Sequence, residues 1–214
     1  MPSSVEIPWD WYVIRASALV GFLLLYVSIF VGTASGLPGI KKYFLRLRSL
    51  NFHCWISLQA LVFAAIHGFM LLFHKFIPFT WEDIFIPFHS NFEPGLVAMG
   101  TISFYLMVIL VVSSYARKYF SYRVWRYLHF LNIALYFLSI VHALYLGTDL
   151  KAGLLRSVFI YANVFLAALL VLNLFFRIIG RNKSANISQE NENLRQGSAS
   201  GAEERSRENF RRRV

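Results

Sequence analysis

The chain has 214 residues, of which 57% are hydrophobic and only 15% are charged, and its mean hydropathy is +0.52. Because so few charges would not cover the surface of a soluble domain of this length, the composition indicates a protein surrounded by membrane lipid. The net charge of +10 does not indicate a nucleic-acid partner, because the basic residues cluster in short segments beside apolar stretches and in the C-terminal part.

Five apolar stretches, long enough or nearly so to cross a bilayer, follow one another along the chain: about 11–33, 52–74, 95–114, 125–147 and 154–176. They predict an all-α, polytopic membrane bundle of about five transmembrane helices. The expected domains are an extracytoplasmic N-terminus 1–10, a transmembrane domain 11–176 and a basic tail 177–214. The polar composition of the tail predicts disorder, because it cannot bury enough apolar surface to fold.

The segments between the spans differ in charge. Two of them are basic and contain no acidic residue: Lys41, Lys42, Arg46 and Arg48 in 37–50, and Arg117, Lys118, Arg123 and Arg126 in 115–126. Segment 75–93 carries Lys75 against three acidic residues, Glu82, Asp83 and Glu93. Because basic loops stay on the cytoplasmic side, we expect a cell-membrane protein with its N-terminus outside and its C-terminus in the cytoplasm. Spans two and four then both run from the inside to the outside.

Spans two and four carry two histidines each. His53 and His67 are fourteen residues apart, and His129 and His142 are thirteen apart. At a rise of ~1.5 Å per residue, each pair covers roughly 20 Å of a hydrocarbon layer about 30 Å thick. In parallel helices, His53 therefore comes level with His129 near the inner face, and His67 comes level with His142 near the outer face.

This arrangement favours haem over other metal centres. Zinc or copper needs three or four ligands around one ion, whereas the two histidines of one span are roughly 20 Å apart. Haem brings its own four nitrogens and needs only two axial imidazoles, one from each helix. We therefore predict two b haems between spans two and four, the inner one held by His53 and His129 and the outer one by His67 and His142.

Two features complicate this interpretation. A single buried histidine is usually a hydrogen-bonded core residue, and only the four matched depths favour ligands. A thirteen-residue step also misses a common helix face by roughly 140°. Span four must therefore bend, change its winding, or direct its two histidines differently.

Other polar residues lie toward the outer face. Arg15, near the start of the first span, either extends to water or pairs with an outer haem propionate or an anionic acceptor. His74 and His89 fall at the interface, where a histidine needs no special role. Segment 75–93 contains a short amphipathic piece, with Thr80 as its N-cap, that is expected to lie at the interface over the outer haem.

These features together resemble the ferric reductase-like transmembrane domain, which ferric reductases and NADPH oxidases share. The resemblance covers about residues 15–176. It depends on the two histidine spacings, on the stretch Tyr122-Arg123-Val124-Trp125-Arg126-Tyr127-Leu128-His129, and on the runs 141–149 and 81–88. It implies that the four matching histidines ligate two b haems. It also implies that electrons pass from cytoplasmic NAD(P)H, through FAD, to an extracytoplasmic acceptor of the ferric iron or oxygen class.

The sequence departs from many relatives in two ways. It has five spans where they have six, and nothing after residue 176 resembles a flavin or nicotinamide domain. We therefore expect no FAD or NAD(P) site in this chain. The expected donor is a separate cytoplasmic flavin reductase, for which the basic segments 41–48 and 115–126 are natural docking surfaces.

Two alternatives stay open. The haem b subunit of a periplasmic methionine sulfoxide reductase system has a similar size, no flavin domain and the pattern Trp125-x-x-Leu128-His129. A different class is a haem-free membrane transporter or scaffold, which would lack the Soret absorption of haem. The cytochrome b561 type is disfavoured, because its ligands are spread over four helices.

Overall fold

The computed structural model describes residues 9–37, 50–75, 77–176 and 178–179. Within these ranges the secondary structure is helical, without strands. The helices are α1 (Trp9–Ala34), α2 (Leu50–Leu71), α3 (Trp81–Phe85), α4 (Pro94–Tyr115), α5 (Tyr122–Leu146) and α6 (Leu154–Phe176). Short 3-10 turns at Arg117–Tyr119 and Thr148–Leu150 precede and follow α5.

Five of these helices are long and apolar enough to cross a membrane: α1, α2 from Phe52 onward, α4, α5 and α6. The predictions of an all-α fold and five spans are therefore confirmed, and the protein is a multi-pass membrane protein. Many large apolar side chains on these helices are exposed, such as Leu23, Phe137 and Leu154. In lipid, this exposure costs nothing, because the surrounding solvent is itself apolar.

The helices pack in pairs around one core. Helix α1 packs along α2, α4 packs along α5, and α2 also contacts α4. The α1–α2 contact is close because Gly21 has no side chain: a Cβ there would lie 3.3 Å from the Cβ of Phe63. The core between the helices consists of Leu25, Ile29, Ala60, Met107, Leu110, Val111, Leu135, Tyr136 and Leu166.

Helices α2 and α5, which carry the four histidines, do not pack along one another. They are instead held apart by their contacts with α1 and α4. Contacts divide the chain into two units, residues 1–167 and 168–214, and the core and the histidines belong to the first. The described residues of the second unit are helical.

Helix α3 is the short amphipathic piece predicted in segment 75–93. Thr80 caps it, as predicted, in a reciprocal capping box with Asp83. Hydrogen bonds from the hydroxyls of Thr101 and Tyr105 to the carbonyls of Ile84 and Phe85, at 2.8 and 2.7 Å, fasten α3 to α4. Its aromatic side chains stay exposed, which suits a membrane interface.

The two ends of the bundle differ in charge. All carboxylates of the described residues lie at one end, called here the acidic end: Asp10, Glu82, Asp83, Glu93 and Asp149. The opposite, basic end holds Arg117, Lys118, Arg123 and Arg126. The other predicted basic segment, with Lys41, Lys42, Arg46 and Arg48, lies outside the described residues, as does nearly all of the tail 177–214. The domain boundaries and the direction in the membrane stay predictions.

Candidate functional site

Two histidine pairs bridge the gap between α2 and α5. At the basic end, the ring centres of His53 and His129 are 6.2 Å apart, with an angle of 66° between the ring planes. At the acidic end, the ring centres of His67 and His142 are 6.4 Å apart, with an angle of 81°. All four residues are half-buried. The structure thus brings together one histidine from each helix at each of two levels.

The separation of the rings suits one metal ion between them. Two metal–imidazole bonds of about 2 Å on opposite sides of an ion, plus about 1 Å from each nitrogen to its ring centre, separate the centres by about 6 Å. Within the described ranges, no three His, Cys, Asp or Glu side chains converge as a metal site. Haem differs from such sites because it brings four nitrogens of its own and needs two imidazoles from the protein.

Backbone carbonyls define the protonation of the acidic-end pair. Nδ1 of His67 lies 3.1 Å from the carbonyl oxygen of Ile14 in α1, and Nδ1 of His142 lies 2.8 Å from that of Leu96 in α4. A carbonyl only accepts hydrogen bonds, so each Nδ1 carries the proton and donates it. The lone pair of each neutral ring is then on Nε2, where a metal binds.

A chain of two serines does the same for His53. The hydroxyl of Ser57 donates to the carbonyl of His53 at 2.9 Å, so the hydroxyl of Ser28, 2.8 Å away, donates to Ser57. Having used its only proton, Ser28 accepts from Nδ1 of His53 at 3.2 Å. His53 therefore also keeps its lone pair on Nε2.

His129 is oriented differently. Its Nδ1 is buried and has no hydrogen-bond partner among the described residues. Instead the ring stacks on Trp125, one turn earlier in α5, with ring centres 5.0 Å apart and planes 19° apart. Aromatic stacking of this kind restrains the ring through packing.

Gly100 of α4 makes room for His142. A Cβ at this position would lie 2.5 Å from Cε1 and 2.7 Å from Nδ1 of His142, which is closer than real atoms approach. The absence of a side chain thus lets the imidazole lie against α4 and donate to Leu96. The sequence analysis did not identify Gly100. The only sequence feature that could have indicated its role is that it is a small residue within an apolar span.

Span four keeps a regular α-helical winding between its two histidines. Residues Tyr122–Leu146 form one uninterrupted α-helix. His142 contacts α4, whereas His129 stacks on Trp125 of its own helix. The two rings thus contact different neighbours, and it stays a prediction that they reach two haems by different side-chain directions.

Arg15 has a partner that the sequence analysis missed. Its guanidinium makes two hydrogen bonds to Asp149, one of them from Nε at 2.8 Å, and it lies over the ring of Trp11. Hydrogen bonding to Arg15 holds the pKa of Asp149 below its ordinary value, against a smaller opposing effect of burial. The sequence did contain a signal for this ion pair, because Arg15 and Asp149 are a cation and a carboxylate at the same predicted depth in the membrane.

The two remaining histidines hold local structure at the acidic end. Nδ1 of His74 accepts from the backbone N–H of Ile77 at 3.0 Å. Nδ1 of His89 lies 3.1 Å from the carboxylate of Asp83. A backbone hydrogen bond from Thr80, and the contact with His89, keep the pKa of Asp83 low.

Comparison with known proteins gives one informative match. The sequence model of the family described as "Ferric reductase like transmembrane component" matches residues 11–140, more than half of the chain. The matched range includes His53, His67 and His129 and stops two residues before His142. No curated protein matches the chain.

Proposed function

Because this chain belongs to the ferric reductase-like transmembrane family, whose domain implies electron transfer across a membrane, we propose that it is a transmembrane di-haem b electron carrier. The observation that carries the proposal is the pair of 6.2 and 6.4 Å ring separations at two levels between α2 and α5. His53 and His129 would hold one haem, and His67 and His142 the other. Haem, when bound, supplies a one-electron iron couple.

The protein's own contribution is to orient neutral imidazoles in a water-poor interior. The carbonyls of Ile14 and Leu96 and the hydroxyl of Ser28 accept from the Nδ1 atoms of three histidines: His67, His142 and His53. The Nε2 atom of each of these rings therefore carries the lone pair that can bind iron. The haems would lie between α2 and α5, and the lipid around the helices would exclude water.

The charges at the two ends support an orientation in the membrane, and with it a direction of electron transfer. We place the basic end in the cytoplasm, where Arg117, Lys118, Arg123 and Arg126 would attract an acidic flavin reductase. FAD and NAD(P) are assigned to that donor protein. At the outer, acidic end, an acceptor of the ferric iron or oxygen class would receive electrons. Arg15 is a candidate contact there for a haem propionate or an anionic acceptor, which would compete with Asp149.

Quantified haem tests this proposal directly. The protein, expressed with ample haem supply and purified in detergent, should contain two haems per chain and show a b-type Soret band that shifts on reduction. One haem per chain would contradict the two-level assignment. A colourless preparation would instead support a transporter or scaffold.

A second candidate within the same chemistry is the haem subunit of a periplasmic methionine sulfoxide reductase system. The observation that favours it is the stack of Trp125 on His129 inside the pattern Trp125-x-x-Leu128-His129. The two candidates differ in the acceptor. The reduced protein would be reoxidised by a periplasmic reductase presented with methionine sulfoxide in one case, and by chelated ferric iron or oxygen in the other.

A further inference from the structure

Three side chains form a column at the basic end: Arg117, Trp125 and His129, the last of which belongs to the basic-end histidine pair. The guanidinium carbon of Arg117 lies 4.5 Å from the ring centre of Trp125. The ring of Trp125 in turn stacks at 5.0 Å on that of His129. A positive charge is thus joined, through one aromatic ring, to a histidine of the basic-end pair.

This column contains an unused hydrogen-bond donor. Nε1 of Trp125 is buried and has no partner among the described residues. Leaving such a group unpaired is unfavourable, so buried indole N–H groups normally find an acceptor. An acceptor at the edge of this ring would lie in the neighbourhood of the guanidinium, whose carbon is 4.5 Å from the ring centre.

The charges around the column favour an anion. Arg117, Lys118, Arg123 and Arg126 lie at this end, whereas every carboxylate of the described ranges lies at the other. The N-terminus of α5, which begins at Tyr122, adds partial positive charge from its free N–H groups. An acceptor with a full negative charge therefore fits better than a neutral one.

We propose that Trp125 and Arg117 form a carboxylate-binding subsite that holds a propionate of the basic-end haem. This inference rests on the proposed function. In it, the indole N–H donates to the carboxylate and the guanidinium balances its charge. Trp125 is then a positioning residue with two roles, because its face orients His129 and its edge holds the haem.

The subsite should also affect the reduction potential. Reduction adds one negative charge at the haem, and a propionate whose charge is balanced opposes that addition less. Loss of Arg117 or of the indole N–H should therefore favour the oxidised form of the basic-end haem. The acidic-end haem should keep its potential.

The test uses the full-length haem-loaded protein in nanodiscs. Trp125→Phe keeps an aromatic ring but removes the N–H, and Arg117→Gln removes the charge. We expect both variants to shift the reduction equilibrium of the basic-end haem toward the oxidised form. The shift should be about threefold for Trp125→Phe and about tenfold for Arg117→Gln, and tenfold corresponds to about 59 mV. The matched controls are Trp55→Phe on the exposed face of α2 and Arg123→Gln, which removes the same charge from the same end.

Esterified haem identifies the anion. Methyl esters remove the negative charge of the propionates, so reconstitution with the esterified haem should raise the potential of the wild type. It should also abolish the effect of Trp125→Phe, because the indole N–H no longer meets a carboxylate. Nanodiscs of phosphatidylcholine alone should give the same results as nanodiscs containing phosphatidylglycerol.

Three results would overturn the inference. Effects that persist with esterified haem and need phosphatidylglycerol would assign the subsite to a lipid phosphate. Two bound haems with potentials unchanged in both variants would show that the subsite holds no propionate, while leaving the proposed function intact. A protein without haem would overturn the proposed function and this inference together.

Discussion

Arg15, near the start of α1, and Asp149, just beyond the end of α5, form a two-point ion pair at the acidic end. His67 donates to the carbonyl of Ile14, the residue before Arg15, so the ion pair lies beside the acidic-end histidines. The ion pair links α1, whose Ile14 accepts from His67, to the segment that follows α5, the helix that carries His142.

Asp149→Asn should weaken this link. Because the side chain of Arg15 is 36% exposed, solvent screens the pair and the expected loss of unfolding free energy is only about 0.5–1 kcal/mol. The folded-state pKa of Asp149 is depressed, so its stabilisation is present above the ordinary carboxyl pKa and is lost as pH falls through the folded value.

The measurement is the melting temperature of both proteins in detergent between pH 7 and pH 3. The difference between them should be largest near neutral pH and should shrink below about pH 4. Glu93→Gln, at the start of α4 without a side-chain cap, is the matched carboxylate control. A constant difference across the range would contradict the ion-pair explanation.

The four histidines should act in two pairs. His53→Ala and His129→Ala are each expected to remove the same spectral and redox species, and His67→Ala and His142→Ala the other, because each haem needs one ligand from each helix. Redox titration with quantified haem distinguishes the species. His89→Gln, which affects an exposed contact with Asp83, should retain both haems. If His53→Ala and His67→Ala remove one common species, the pairing across helices is wrong.

Gly100→Ala should disturb only the acidic-end haem. The added methyl group would occupy space taken by His142 and push its ring away from Leu96. We expect a haem content close to one per chain, or a strongly shifted second species, with the basic-end haem unchanged. Gly95→Ala is the control in the same helix, since a Cβ there meets nothing within 4 Å. Two normal haems in Gly100→Ala would show that the ring of His142 moves freely.

Ser28→Ala should weaken the basic-end haem. Without this hydroxyl, Nδ1 of His53 loses its acceptor and the ring is free to rotate or change tautomer. Loss of such a supporting group typically lowers metal affinity about 10–100-fold, measurable as faster haem transfer to apomyoglobin. Ser113→Ala, a buried serine bonded only within α4, should release haem at the wild-type rate. Equal rates of haem release from Ser28→Ala and Ser113→Ala would show that Ser28 does not support the binding of haem by His53.

Electrons should enter from a second protein. With NADPH alone the purified protein should stay oxidised, and a cytoplasmic flavin reductase should reduce it. Lys118→Gln combined with Arg126→Gln removes two charges from the basic end, so stopped-flow reduction should slow several-fold and depend less on salt. Rapid reduction by NADPH without a flavoprotein would falsify the need for a second protein.

Much of this protein follows from local sequence properties. The number of spans depends on the length of apolar stretches relative to the bilayer, which needs no knowledge of the fold. The two levels at which His53, His67, His129 and His142 lie follow from the fixed rise of an α-helix. Thr80 as an N-cap is likewise local, because the cap and its partner Asp83 are three residues apart.

Tertiary packing decided the remainder. Ser28, Ile14 and Leu96 orient histidines from other helices, at sequence separations of 25, 53 and 46 residues, and no pattern along one helix reveals such contacts. Gly100 matters only because α4 passes close to His142. Arg15 meets Asp149 across 134 residues. Helix periodicity determines which residues share a level, but only the crossing of helices determines which side chains meet.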